Sequence, residues 1–301
     1  MSNISLASAL NIAAVKWPNN KAIICAEKNY TFEELRVESD KLAVGLIRKS
    51  VCKGDRVALY CTNGVEFAIS YMGIVKAGAV VVPINLLQKP TEIAYVLNNA
   101  GVKALFYHKS VESTVSALGE LGVAPVLTIK ITSQKKPTKD WIDLLNNDGV
   151  VPEIGIDAKN DLAAILYTSG TTGQPKGAML THENLVSNTS SVFEAMQWQQ
   201  GEDVITLVLP MFHAFAATVG MLTPLTKGCS FVPIPKFESD MLSKVIESSG
   251  ATVFLGVPSM FNVLLNIKNE KTNRFKSLRM CISGGASMPM EVLNRFECKF
   301  N

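Results

Sequence analysis

Charge is scarce in this sequence. Only 18% of its 301 residues are Asp, Glu, Lys or Arg, against roughly 25% in an average soluble protein, while 48% are hydrophobic. That balance excludes intrinsic disorder, which requires too little apolar surface to offset conformational entropy. Neither sign dominates: 29 Lys and Arg face 26 Asp and Glu, a net of +3, and no basic stripe argues for nucleic acid. The six cysteines, at 25, 52, 61, 229, 281 and 298, include no C-x-x-C pair, which removes metal fingers and dithiol redox motifs. A chain this long does not need a disulfide framework, so reduced thiols and a cytoplasmic location are expected. The opening residues, MSNISLA, lack the basic and apolar regions of a signal peptide. Repeats and low-complexity tracts are also missing.

One stretch has no charge at all. Residues 204–225 (VITLVLPMFHAFAATVGMLTPL) are numerous enough to span a bilayer. Pro210, His213 and Pro224 interrupt them, and the run opens on β-branched residues. The pattern predicts a buried strand, a turn and a buried helix, not a transmembrane segment.

What is present is an alternation of strand and helix. Thr31 and Glu34 form a capping box that opens a helix to about Lys49. A strand is expected at 56–61, a helix at 65–76 ending at Gly78, and an apolar strand at 79–83. Helices at 91–99 and 110–118 and strands at 102–107 and 126–130 follow, then a polar loop at 132–140 and a helix near Trp141. Beyond it, strands are expected at 162–167, 204–209, 230–233, 252–257 and 278–283. Helices are expected at 183–197, 239–249, 259–267 and 290–299. The alternation implies an α/β fold: two adjacent α/β subdomains with mostly parallel sheets whose faces are covered. The first would run over residues 1–180, its earliest segment packing with the second, and the second, incomplete, over 181–301.

The most informative segment follows the strand at 162–167: Thr168-Ser169-Gly170-Thr171-Thr172-Gly173-Gln174-Pro175-Lys176-Gly177. Glycines let backbone N–H groups approach a ligand, hydroxyls donate short hydrogen bonds, and Lys176 adds a mobile positive charge. Those are the requirements of a polyphosphate cradle. It is not the G-x-x-x-x-G-K-[ST] loop, because Pro175 precedes and Gly177 follows the lysine. A plain Ser/Thr/Gly surface turn is the competing reading, and ten residues of this composition directly after a strand argue against it. His213, within an apolar run, reads from composition alone as a core histidine. Met211, Phe212 and Phe215 beside it fit a pocket wall or plain core equally. Gly284-Gly285-Ala286-Ser287 reads as a tight turn after a strand or as a surface that admits a flat ring. His182 is expected to cap the helix that follows it, and His108 and the cysteines to be structural.

The string YTSGTTGQPKGAMLTHENL resembles the signature of the adenylate-forming enzymes, with LPMFHAFA at 209–216 and CISGGASMP at 281–289 in matching order and spacing. ATVFLGVPSMFNVL at 251–264 and the opening TFEEL, GDRVAL and KAGAVVVPIN runs agree. The likeness covers nearly the whole chain and is nearest the bacterial medium- and long-chain fatty-acid–CoA ligases. It implies ATP-dependent, AMP-binding ligase chemistry of fatty acid metabolism: activation of a carboxylate to an acyl-adenylate, then thioester formation with CoA. It further implies phosphate contacts at Thr168, Ser169, Gly170, Thr171, Thr172, Gly173 and Lys176, and magnesium near Ser169. His213 would orient the carboxylate, and Gly284, Gly285, Ala286 and Ser287 would lie beside adenine and acyl chain. The implied cofactors are ATP and Mg²⁺, with CoA as co-substrate and small molecules as the partners. Oligomeric state and peripheral membrane contact stay open. The family's next segments, bearing an Mg²⁺-binding glutamate, a ribose-binding aspartate and a catalytic lysine on a small C-terminal domain, are not found before Asn301. The residues given are therefore expected to be the N-terminal portion, either an expressed fragment or a truncated frame, and not to make acyl-CoA by themselves. An acyl-AMP ligase serving a carrier protein, or a non-catalytic nucleotide- or partner-binding protein, are the alternatives.

Overall fold

The computed structural model describes residues 4–132, 136–168 and 174–300. In chain order these form α1 (Leu6–Lys16), β1 (Lys21–Ile23), β2 (Tyr30–Thr31), α2 (Phe32–Arg48), β3 (Arg56–Tyr60), α3 (Val65–Lys76), β4 (Val80–Pro83) and α4 (Pro90–Ala100). Next come β5 (Val102–His108), α5 (Glu112–Glu120), β6 (Leu127–Ile131), α6 (Lys139–Leu145), β7 (Leu162–Thr168), β8 (Lys176–Thr181) and α7 (His182–Ala195). The remainder is β9 (Val204–Leu207), α8 (Thr223–Lys227), β10 (Ser230–Pro233), α9 (Ser239–Ser249), β11 (Val253–Gly256), α10 (Pro258–Leu264), β12 (Met280–Ser283) and α11 (Met290–Phe300).

Local chemistry accounts for many of the boundaries. Thr31 and Glu34 bond reciprocally across the start of α2, satisfying two N–H groups that the helix itself cannot. Gly78, Gly101, Gly228 and Gly250 take left-handed φ values just beyond α3, α4, α8 and α9, where a Cβ would be strained.

The strands make two six-stranded sheets, ordered β6-β5-β3-β4-β7-β8 and β12-β11-β9-β10-β1-β2. All neighbours are parallel except β7–β8 and β1–β2. Residues 21–31 thus complete the sheet otherwise built from residues 204–283, crossing over through the pairing of β1 with β10. One apolar core joins the sheets, with Val57 and Val81 of the first, Ile205 and Phe231 of the second, and Leu35 and Phe67 from α2 and α3. A second cluster packs α4 and α5 on the first sheet through Ile93, Leu97, Leu105 and Leu118. A third packs α9, α10 and α11 on the other through Ile246, Phe254, Phe261 and Phe296.

The uncharged run 204–225 is β9, a turn, a π-helical stretch over Ala216–Leu222 and the start of α8. Among the described residues no helix is long and apolar enough to cross a membrane. The strand expected at 204–209 stops at Leu207, level with the end of β10 and one residue short of the end of β11. An unanticipated buried polar contact joins α2 and α3. The Lys76 ammonium, 2% exposed, meets Asp40 at 2.6 Å, and Arg36 meets the same carboxylate at 2.6 Å. Burial pulls the Lys76 pKa down to about 8, against the opposing pull of Asp40.

Candidate active site

The C-terminal ends of parallel strands are where open α/β sheets receive ligands, because each chain turns away there and leaves backbone groups facing outward. A cavity of about 730 Å³ lies at such an end. Pro83 at the end of β4, Thr168 at the end of β7, and Gln174 and Pro175 ahead of β8 contribute to it from the first sheet. Phe212 and His213, past the end of β9, close it from the second. Segments distant in sequence therefore converge.

Thr168 and Lys176 are register partners across the antiparallel β7–β8 pair, so both stand at the mouth of one hairpin. β7 and β8 thus flank the expected cradle, and the next helix, α7, starts only at His182, so no described helix N-terminus stands directly behind the pair. Both Thr168 and Lys176 are exposed. Ser169, Gly170, Thr171, Thr172 and Gly173 lie outside the described residues.

His213 does not sit in the core. It is exposed at the cavity, its ring 4.5 Å from that of Phe212, and its backbone N–H donates to the Pro210 carbonyl at 3.0 Å. The protein around one side of the ring lowers its pKa below the ordinary value, which favours the neutral imidazole. Of the apolar residues near His213 only Phe212 lines the cavity; Met211 and Val219 are core, and the Phe215 ring lies against Gly284. The remaining lining is more polar than the uncharged run suggested, with Asn85, Gln88, Thr91 and Glu92 from the β4–α4 region. Leu87, Tyr95 and Tyr167 complete it, and the Tyr167 hydroxyl meets Asn99 Oδ1 at 2.5 Å. The only sequence signal for the residues of the β4–α4 region is their place between the apolar strand β4 and the first turns of the helix opening at Pro90, where no catalytic motif marks them.

Gly284 follows β12 and donates its N–H to the Gly256 carbonyl at 3.0 Å. A Cβ at Gly284 would come within 2.7 Å of the Phe215 ring, so the bare backbone lets that ring lie against it. Gly285 has φ +79°, and Gly285, Ala286 and Ser287 are exposed. The structure thus brings Gly284 beside the His213 segment without placing residues 284–287 in the cavity lining itself. His182 is not the cap of its own helix. Thr181 fills that role with Asn184, and His182 Nδ1 accepts the N–H of Leu6 at the start of α1. Among the described residues no group of three or more His, Cys, Asp or Glu could hold a metal, so these side chains alone do not make a magnesium site.

The AMP-binding enzyme model matches residues 10–301. A long-chain-fatty-acid–CoA ligase of Bacillus subtilis is 30% identical over 98% of this chain and 58% of its own length. The inhibitor-bound N-terminal domain of FACL13 from Mycobacterium tuberculosis superposes with a TM-score of 0.90 at 26% identity, over 98% of this chain and 73% of that one. ATP-bound MatB from Rhodopseudomonas palustris superposes with a TM-score of 0.85 at 27% identity, over 97% and 57%. The chain spans about half the length of the curated relatives it matches. With a matched model over almost all its residues and the same two-sheet architecture, the chain belongs to the AMP-binding enzyme family.

Proposed function

We propose that this chain is the nucleotide- and acid-binding portion of an ATP-dependent fatty-acid–CoA ligase. The carrying observation is the shared cavity. Thr168, Gln174 and Pro175 line it together with His213, and Lys176 is the register partner of Thr168, one group suited to phosphates and the other to a carboxylate. In the reaction a carboxylate oxygen attacks the α-phosphorus of ATP, and the bond to the bridging oxygen breaks to release pyrophosphate. CoA sulfur, once deprotonated, then attacks the acyl carbon, and the carbon–oxygen bond to AMP breaks. Lys176 and residues 168–173 hold the β- and γ-phosphates, stabilising charge as it develops on the leaving group. His213, neutral at physiological pH by the direction of its shift, donates a hydrogen bond that orients the acid and does not serve as its base. Residues 284–287 receive adenine and the start of the acyl chain. Mg²⁺ would arrive on the nucleotide phosphates, near Ser169. The ATP-bound and fatty-acid-ligase relatives support the cofactor and the substrate class.

Titration calorimetry with ATP tests the phosphate end. Lys176→Ala is expected to lose about 1.5–3 kcal/mol, one charge-assisted contact, and equal affinities would refute the assignment. The acid end is tested by non-hydrolysable acyl-sulfamoyl adenosines. A hexadecanoyl analogue is expected to bind at least about tenfold more tightly than a polar aminoacyl one, since two buried methylenes are worth about 1.6 kcal/mol. A clear aminoacyl preference would count against the fatty-acid reading. Ligand binding by the N-terminal domain of FACL13, which holds an inhibitor, supports measuring these affinities on this chain alone.

A further inference from the structure

The turn that carries His213 is held from the other sheet. Asn63 lies between β3 and α3, just past the C-terminal end of a strand of the first sheet. Its Nδ2 donates toward three carbonyls of the second: Leu209 at 2.9 Å, Ile234 at 3.0 Å and Leu207 at 3.2 Å. Its Oδ1 accepts the Met211 N–H at 2.8 Å. Three acceptors on the nitrogen side and one donor on the oxygen side fix the orientation of the amide. Leu207 ends β9, Ile234 follows β10, and Leu209 and Met211 flank the turn whose Pro210 carbonyl receives the His213 N–H.

We propose that Asn63 is a positioning residue for the acid site, its amide setting where His213 stands relative to the first sheet. The proposal rests on the reading of His213 as the group that orients the acid. At 208–212 the chain has left the ladder of β9, so its backbone position depends on contacts outside the sheet. The amide supplies both a donor and an acceptor to that segment and simultaneously closes the ends of two adjacent strands. No other residue type of this length offers both functions in one plane. Pro83 and Thr168, which line the cavity, belong to the sheet past whose strand β3 Asn63 lies, so the same bonds tie the His213 segment to that side of the cavity. Misplacing a reacting group by about 1 Å can cost on the order of a hundredfold, which makes such a tether consequential.

The test compares wild type with Asn63→Ala and the milder Asn63→Ser. Calorimetry reads affinity for ATP and for hexadecanoyl-sulfamoyl adenosine, and NMR reads the His213 ring resonances, displaced by the Phe212 ring 4.5 Å away. With three histidines in the chain, His213→Gln assigns the signal. The proposal expects about a tenfold or greater loss for the acyl-adenylate analogue, less than about a threefold change for ATP, and movement of the His213 resonance toward its solvent-exposed position. Parallel loss of both affinities, or an unmoved His213 resonance in a folded variant, would overturn it. Should wild type bind neither ligand, the functional reading fails and the resonance alone decides the positioning. Should both variants fail to fold, amide exchange in wild type decides: a protected Met211 N–H supports the tether, and a freely exchanging one overturns it.

Discussion

Asp203→Ala is expected to cost about 3 kcal/mol of folding free energy, read as a lower urea midpoint at neutral pH. Asp203 is 1% exposed and precedes β9. Its carboxylate accepts from Thr252 Oγ1 at 2.6 Å, the Gln199 N–H at 2.6 Å and Arg279 Nε at 2.8 Å, and also pairs with Arg279 Nη2. Thr252 and Arg279 stand immediately before β11 and β12, so one carboxylate ties the entrances of three neighbouring strands. Burial by itself would raise the Asp203 pKa, but the bonds from Arg279, Thr252 and Gln199 outweigh it and hold the carboxyl below its ordinary range. Breaking a buried pair costs about 3–5 kcal/mol, and the low end applies because the Arg279 side chain, 34% exposed, can turn to water. A change below about 1 kcal/mol would refute the clamp.

Acid is expected to weaken the protein through His182. This side chain is 1% exposed, its Nδ1 accepts the Leu6 N–H at 3.2 Å, and its Nε2 is buried with no hydrogen-bond partner among the described residues. Burial, only partly opposed by Asp161, pushes its pKa down to about 4. Below about pH 6.5 the unfolded chain takes up a proton that the folded chain refuses until about pH 4. The stabilisation is therefore complete above pH 6.5 and is lost as pH falls toward 4. The loss should be about 2 kcal/mol by pH 5 and about 3 kcal/mol by pH 4. Urea midpoints at pH 7.5 and 5 in wild type and His182→Gln decide it. The variant should lose this part of the pH dependence, and identical slopes would exclude His182 as the source.

Legibility followed locality. Helix α3 was readable to the residue, because its apolar run ends at a glycine with φ +72° that a sequence can announce. The capping box of α2 was equally plain, for its partners sit three residues apart. By contrast β1 and β2 are three and two residues long, too short for any periodicity, and exist because β10 offers a free edge. β8, KGAMLT directly after the Gly- and Thr-rich segment, lacks strand periodicity and becomes strand only by pairing with β7. Asn63 left no signal beyond a Thr-Asn-Gly turn after a strand.

The sequence by itself determined the α/β class, most element boundaries and, through its glycine loop and two matching segments, the family. Caps, periodicities and motif strings are relations between near neighbours, and backbone geometry enforces them wherever they occur. Only the tertiary structure decided that residues 21–31 complete the distant sheet, that His213 is exposed at a cavity and not core, and that His182 serves α1. It alone decided that Asn63 grips the turn before His213. The reason is that a hydrogen-bonding side chain is satisfied by whatever donor or acceptor packing brings within about 3 Å, and separation along the chain carries no record of that distance.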